Sequence, residues 1–214
     1  MILTVGNTKG GVGKSTLALN LAVAKMLEGG RLWLIDGDRQ GTVATAMAFR
    51  AQAGHLPLIE CSHLPEGKEL HAAIKLRRKD FDNIVIDAGG RDSTALRAAL
   101  ALSDAVLIPF APRSLDLWAL QDMAALVAEA RTINPALQAM AVLNGADTVG
   151  SDNKDAAAAV ASYPELTYLA SPVRRRKSFA NAAGMGLSVL EAKPKDAKAI
   201  EEVKALVHMV STAL

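Results

Sequence analysis

Cysteine is almost missing from this chain of 214 residues, since Cys61 is the only one. A single cysteine excludes an internal disulfide and any metal site built only from the cysteines of one chain, and it fits a reducing cytoplasm. Aromatic residues contribute only 4%, and the net charge is just +2. Such a small charge says nothing about partners, so a surface for nucleic acid or membrane has to come from local clustering.

Long apolar stretches are also missing. Nowhere do about 18 uncharged apolar residues follow one another, which is the length that a membrane-spanning helix needs. The first residues, 1–5, run directly into Gly6 without the basic and long apolar segments of a signal peptide. We therefore expect a soluble, cytoplasmic protein with no membrane partner.

Short apolar runs do alternate with longer segments of helical period, the arrangement that gives parallel strands joined by crossover helices. The pattern predicts an α/β fold: an open, mostly parallel twisted sheet flanked by helices on both faces, in one domain over residues 1–214. The predicted strands are 2–5, 31–35, 58–61, 83–86, 105–109, 139–143 and 166–169. The predicted helices are 15–28, 42–53, 67–78, 93–102, 115–133, 152–162, 178–183 and about 195–210.

The strongest motif follows the first predicted strand and opens the first predicted helix: Gly10-Gly11-Val12-Gly13-Lys14-Ser15-Thr16. Glycines let backbone N–H groups turn inward around phosphate oxygens, and the helix N-terminus adds a favourable dipole. This context predicts a phosphate loop in which Lys14 holds the β- and γ-phosphates and Ser15 ligates magnesium. The alternative is a glycine-rich turn with an accidental lysine.

The loop departs from the usual pattern at its start, where Thr8 replaces a glycine and Lys9 follows. With this departure the segment resembles the ParA/MinD family of deviant Walker A ATPases, in particular its small ParA-type partition ATPases. The resemblance implies a P-loop NTPase fold and an ATP hydrolase that uses ATP and Mg²⁺. It also implies a homodimer with ATP sandwiched between the subunits, in which Lys9 contacts the phosphates bound by the other subunit. Such a lysine would stabilise charge on the transferring phosphoryl group; the alternative is a solvated lysine.

A second motif, Asp36-Gly37-Asp38-Arg39-Gln40, lies at the carboxyl end of the second predicted strand, where open α/β sheets bind ligands. It resembles the family's switch I. The resemblance implies that Asp38 orients or activates the attacking water and that Asp36 supports magnesium through its water shell. Arg39 stands where proline is common in the family, which leaves the rigidity of the loop open. The alternative is an aspartate pair that forms a turn or caps a helix.

A third motif is the apolar strand 83–86, which ends at Asp87 and is followed by Gly89 and Gly90. It has the Walker B arrangement, which places a carboxylate beside the metal, so Asp87 is the candidate. Gly89 and Gly90 resemble switch II, where a backbone N–H meets the γ-phosphate.

Two further candidates come from the resemblance. The segment 110–116 resembles the loop after the fifth strand of small plasmid-partition ATPases, and the helix it begins is expected at the dimer interface. Asn144 matches the position at which relatives contact adenine. Pro112 and Asp116 fit a turn and a helix start equally well.

Positive charge is concentrated in Arg174-Arg175-Arg176-Lys177, just before a predicted helix. Such clustering suits sequence-independent contact with DNA phosphates. The resemblance implies nonspecific binding of double-stranded DNA by the ATP-bound dimer, which would associate with the nucleoid. It also implies a centromere-bound, ParB-type partner that stimulates hydrolysis. The alternative is a solvated basic face.

Our hypothesis is therefore a ParA-type ATPase for DNA partition. A MinD-like or other cargo-positioning ATPase is the main alternative, and a metabolic ligase or kinase is a further one. A membrane-binding protein of this kind would carry a C-terminal amphipathic helix with a basic face. Residues 199–214 lack that face, so we expect their apolar side chains to pack against the sheet.

Overall fold

The computed structural model describes residues 1–90, 92–111, 114–146 and 152–214, with 114–117 and 152–153 described by backbone only. Within this part of the chain, seven strands alternate with helices. The strands are β1 Ile2–Val5, β2 Leu32–Gly37, β3 Glu60–His63, β4 Asn83–Ala88, β5 Ala105–Phe110, β6 Gln138–Ala146 and β7 Thr167–Arg174. The α-helices are α1 Lys14–Leu27, α2 Thr42–Gln52, α3 Gly67–Arg77, α4 Thr94–Leu102, α5 Ser114–Arg131, α6 Asp152–Val160, α7 Lys177–Gly184 and α8 Ala197–Thr212.

The strands form one parallel sheet in the order β3-β2-β4-β1-β5-β6-β7. This order places β1 next to β4, and β4 next to β2. In register, Asp87 of β4 therefore lies beside Val5 of β1 on one side and beside Asp36 of β2 on the other. The motifs that follow β1, β2 and β4 meet at one edge of the sheet.

Both faces of the sheet are covered, because successive side chains of a strand point to opposite faces. In β2, Leu32 and Leu34 join an apolar cluster with α1 and α8, while Trp33 and Ile35 join another with α3 and α4. A third cluster joins β5 and β6 to α5 and α6. The predicted α/β fold, with helices on both faces of a parallel sheet, is confirmed.

The largest difference from the sequence-based boundaries concerns β7, which continues to Arg174 instead of ending at residue 169. The added part of β7 contains Pro172, and proline cannot donate a ladder hydrogen bond. However, β7 is an edge strand, where proline is tolerated. The basic cluster therefore begins at a strand end, and Arg174 is part of the sheet.

Candidate ATP site and the family it defines

The phosphate loop connects β1 to the N-terminus of α1, as predicted. Gly11 and Gly13 have φ angles of 76° and 88°, a region that side chains with a Cβ rarely adopt. A cleft of about 590 Å³ opens above the loop. It is lined by Thr8, Gly10, Gly11, Gly13, Lys14, Ser15, Thr16, Asp38, Gln40 and Gly90. The structure thus brings the loop residues together with both predicted switch segments.

Lys14 is almost fully buried, and its ammonium group donates to the carbonyl oxygen of Lys9 at 2.7 Å. Burial lowers its pKa, and the nearby carboxylates of Asp87 and Asp38 oppose that shift. A buried cation that donates to a loop carbonyl can exchange this partner for phosphate oxygens, which form stronger charge-assisted hydrogen bonds.

Asp36, in β2, is fully buried against the start of α2. Its carboxylate accepts hydrogen bonds from the backbone N–H groups of Asp38 at 3.0 Å and Ala44 at 2.8 Å. Burial raises its pKa, while these bonds lower it in part. A carboxylate at a helix N-terminus satisfies backbone donors that have no partner within the helix. Asp36 therefore has the capping role left open by the sequence, and its support of magnesium stays a prediction.

Asp87 supplies the one buried side-chain oxygen, Oδ2, that lacks a hydrogen-bond partner within the described residues. Burial raises its pKa to about 7, although a hydrogen bond with Ser15 acts in the opposite direction. An unsatisfied buried carboxylate oxygen beside a hydroxyl fits a divalent cation. The described residues contain no cluster of three or more Asp, Glu, His or Cys side chains that could hold a metal ion. That agrees with Mg²⁺, which commonly takes one or two carboxylates and completes its shell with water and phosphate.

The loop after β2 is held in place by several contacts. Asp38 accepts from the backbone N–H of Gln40 at 3.0 Å, and its own carbonyl lies 2.8 Å from the ring of His63. Arg39 is 80% exposed and pairs with Glu66, at the start of α3, at 2.8 Å. Exposed pairs of this kind stabilise only weakly. Arg39 therefore contacts α3, and the side chain of Asp38 faces the cleft.

Gly89 and Gly90 are close to the other two motifs. A Cβ on Gly89 would lie 3.1 Å from Cγ of Asp38, and a Cβ on Gly90 would lie 3.1 Å from Nζ of Lys14. Any larger residue would have to displace these groups. The predicted switch II glycines thus pack directly on switch I and on the phosphate-loop lysine.

Asn144 lies against the phosphate loop, where its side-chain amide donates to the Val12 carbonyl at 2.6 Å. Contact with adenine stays a prediction.

Asn7 was not predicted from the sequence to be a site residue. It is fully buried, donates to the Pro109 carbonyl at 2.8 Å, and accepts from the backbone N–H of Lys9 at 2.9 Å. The only signal was a polar side chain between an apolar strand and the glycine loop.

Lys9 lines a second groove, of about 630 Å³, which borders the cleft. The groove is also lined by residues of α4 and α5, among them Arg97, Asp122 and Trp118, whose surface is 70% exposed. The predicted interface segment 110–116 falls largely outside what the structure describes, because Pro112 and Arg113 are not described and residues 114–116 are described by backbone only.

The basic cluster is divided into two pairs. Arg174 and Arg176 both contact the carboxylate of Glu202 on α8, at 3.1 and 2.7 Å. Burial raises the pKa of Glu202, but the hydrogen bonds from both arginines outweigh it and the pKa is lowered. Arg175 and Lys177 are exposed. Glu202 is distant in the sequence, so its neutralising effect on the cluster could not be anticipated.

The apolar residues of α8 pack into the core beneath it, as expected. Ala199, Val203, Leu206, Val207 and Val210 belong to the cluster shared with α1 and the sheet. Within the described residues, no helix combines the length and the apolar character that a membrane crossing requires.

A phosphate loop between β1 and α1, with buried carboxylates at the ends of β2 and β4, defines a P-loop ATPase. Residues 1–145 match the family model of the ATPase MipZ, and the chain belongs to this family, within the ParA/MinD group of deviant Walker A ATPases. It is an ATP hydrolase, with ATP and Mg²⁺ as nucleotide and metal.

Relatives of this chain are named for two processes, carboxysome distribution and chromosome partitioning. The maintenance of carboxysome distribution protein A of Halothiobacillus neapolitanus is 29% identical over 213 residues, which cover 97% of this chain and 95% of that protein. The chromosome-partitioning ATPase Soj of Thermus thermophilus is 31% identical over 170 residues, covering 66% and 67% of the two chains. The fold is also that of a Borrelia burgdorferi protein assigned to plasmid partition and bound to AMPPNP, with a TM-score of 0.78, 17% identity, and coverage of 100% and 99%.

Proposed function

We propose that this ATPase forms an ATP-dependent homodimer that holds nonspecific double-stranded DNA and positions a cargo by cycles of partner-stimulated hydrolysis. The observation that carries the proposal is the place of Lys9. This residue lines an open groove that borders the ATP cleft and is accessible from outside the subunit. A second subunit seated there would bring its phosphates within reach of this lysine.

Within each subunit, different side chains bind the phosphates, hold the metal and position the attacking water. Lys14 would leave the Lys9 carbonyl to bind the β- and γ-phosphates. Ser15 and Asp87, which are hydrogen-bonded to each other, would hold the metal, and Asp36 lies beside Asp87 in the sheet. Mg²⁺ supplies neutralising charge for the phosphates. Asp38 faces the cleft and positions the attacking water. Gly90 lies against Lys14, and its backbone shifts when the γ-phosphate leaves.

The DNA surface centres on Arg175 and Lys177. These two side chains are exposed and have no role in the core, whereas Arg174 and Arg176 also hold Glu202. Lys193, Lys195 and Lys198 lie nearby in the chain and are exposed as well. Exposed cations that do not pack internally can bind DNA phosphates, and this binding releases the counterions condensed on the DNA.

Retention of duplex DNA with ATP, with ADP and without nucleotide, measured over a salt series, tests this proposal. We expect retention only with ATP, with a steep loss as salt increases. Lys14→Ala should behave like the nucleotide-free protein. DNA retention that is the same with ATP, with ADP and without nucleotide would overturn the proposal. Binding to anionic vesicles in place of DNA would establish the MinD-like alternative.

The cargo has two candidates. DNA partition with a centromere-bound, ParB-type partner is the first, and it fits the similarity to Soj. Positioning of a protein assembly is the second, and it is favoured by the relative that matches nearly the full length of both chains. Deletion of the gene distinguishes them: loss of a replicon from daughter cells indicates DNA cargo, and clustering of protein assemblies with normal DNA inheritance indicates protein cargo.

A further inference from the structure

Asn7 connects the predicted trans-acting lysine to the centre of the sheet. Its side chain is fully buried between the end of β1 and the phosphate loop. The amide nitrogen donates to the Pro109 carbonyl of β5 at 2.8 Å, and the amide oxygen accepts from the backbone N–H of Lys9 at 2.9 Å. One side chain thus bridges β5, inside the sheet, and the backbone of Lys9.

An amide suits the chemistry of this bridge. The Pro109 carbonyl can only accept a hydrogen bond, and the Lys9 N–H can only donate one. A buried side chain that satisfies both must offer one donor and one acceptor at this reach, and asparagine offers both three bonds from its Cα. Alanine would leave two buried backbone groups without partners, and aspartate would place a carboxylate oxygen against the Pro109 carbonyl.

The backbone of Lys9 is held on its other side by Lys14, whose ammonium group donates to the Lys9 carbonyl at 2.7 Å. When Lys14 turns to bound phosphate, this second contact is lost, whereas the bond from the Lys9 N–H to Asn7 can persist. Asn7 therefore contributes to the position of Lys9 in the nucleotide-bound subunit.

We propose that Asn7 is a positioning residue that aims Lys9 at the nucleotide of the partner subunit. This inference rests on the proposed function of Lys9. Asn7 acts through Lys9 and not on the nucleotide of its own subunit. Removing it should therefore weaken dimerisation and turnover while leaving nucleotide binding by one subunit nearly intact.

The test compares Asn7→Ala, Lys9→Ala and the double variant with the natural sequence. We expect Asn7→Ala to lower kcat about tenfold and to lower the association constant of the ATP-dependent dimer about tenfold. This is the effect of losing roughly one net hydrogen bond. Its KM and the affinity of the isolated subunit for a fluorescent ATP analogue should change less than about threefold. In the Lys9→Ala background, removing Asn7 should have no further effect on either quantity.

Thr4→Val is the matched control. Thr4 is buried in β1, the strand that precedes Asn7, and its hydroxyl bonds to that of Ser103 at 2.7 Å, away from the loop. This variant should lower the melting temperature to a similar degree without changing kcat. If Asn7→Ala does not fold, Asn7→Ser adds no charge, offers a shorter hydroxyl that cannot bridge both backbone groups, and should show the same Lys9-dependent loss.

Two results would overturn the inference: an equal loss of nucleotide binding by the isolated subunit, or a further tenfold loss in the Lys9→Ala background. Each would mean that Asn7 only shapes the loop. A Lys9→Ala protein with normal dimerisation and turnover would instead refute the proposed role of Lys9 itself, so the two failures are distinguishable.

Discussion

The side-chain amide of Asn144 donates to the carbonyl oxygen of Val12 at 2.6 Å, which ties the end of β6 to the phosphate loop. A Cβ on Gly13 would lie only 2.1 Å from that amide nitrogen. Gly13 is therefore required for two reasons, its left-handed backbone and its contact with Asn144. The residue expected to contact the base also supports the loop that binds the phosphates.

Asn144→Ala separates these two contributions. Loss of loop support should weaken ATP and GTP binding by a similar factor, about tenfold, because the phosphate loop is common to both nucleotides. Loss of base recognition should weaken ATP alone. Titration with both nucleotides gives the ratio of affinities. We expect the ratio of ATP affinity to GTP affinity to be the same in Asn144→Ala as in the natural protein. A ratio close to one in Asn144→Ala alone would show that adenine recognition dominates.

Lys14→Ala should abolish ATP turnover and lower ATP affinity at least about a hundredfold, because a charge-assisted contact to each of two phosphates is lost. Equilibrium binding and phosphate release measure these effects. Lys25→Ala is the control, since Lys25 is the other buried lysine of α1 and bonds to Glu28 and Ser211 at the far end. ATP turnover that survived in Lys14→Ala would refute the assignment of the site.

Asp87→Asn should change how stability depends on pH in the absence of magnesium. The pKa of Asp87 is about 7 in the folded protein and ordinarily near 3.8, so between these values the unfolded chain binds fewer protons. Stability contributed by this group therefore falls as pH rises through that window and is constant above it. The amide variant removes this dependence, which amounts to at most roughly 1.4 kcal/mol for each pH unit of the window.

Urea unfolding with a chelator at pH 5 and pH 8 measures this difference. The natural protein should lose more stability on going to pH 8 than Asp87→Asn does. Magnesium needs the ionised carboxylate, so its affinity should increase with pH up to about 7 in the natural protein. Asp80→Asn, a surface change, should leave the pH dependence as it is. Equal pH dependence in the two proteins would contradict the burial of an unpaired Asp87.

Arg175→Ala with Lys177→Ala should reduce DNA retention without destabilising the fold. Each lost phosphate contact should lower the salt slope by about one. By contrast, Arg176→Ala should also lower the free energy of unfolding, since it leaves the carboxylate of Glu202, buried on α8, with a weaker set of partners. Filter binding and chemical unfolding, applied to both variants, separate the roles. Unchanged DNA retention in the first variant would exclude this surface.

Arg50→Ala should be the most destabilising change away from the site. The Arg50 guanidinium is buried, pairs with both oxygens of Glu191 at 2.7 and 2.8 Å, and also donates to the carbonyls of Pro57 and Gly186. Removing one partner of a buried pair typically costs about 3–5 kcal/mol. Urea unfolding measures the loss, and Arg78→Ala, at an exposed pair, should cost less than about 1 kcal/mol.

Local pattern was enough to predict most elements of this fold. Short apolar runs located six of the seven strands of the described sheet, and the helices were located because their apolar residues recur with helical period. The run 58–61 only overlaps β3, which lies two residues later at Glu60–His63. The boundary of β7 was wrong because Pro172 is compatible with a strand only at a sheet edge, and edge position is a property of strand order.

The sequence by itself determined the phosphate loop, because glycine spacing and a lysine at a helix start are local requirements of phosphate binding. It also determined which carboxylates end the strands. Only the tertiary structure decided what these groups contact: Asn7 bridging to β5, Asn144 supporting Val12, and Glu202 dividing the basic cluster. Each of these contacts joins residues far apart in the chain, and their partners are chosen by strand order and packing, which no local pattern records.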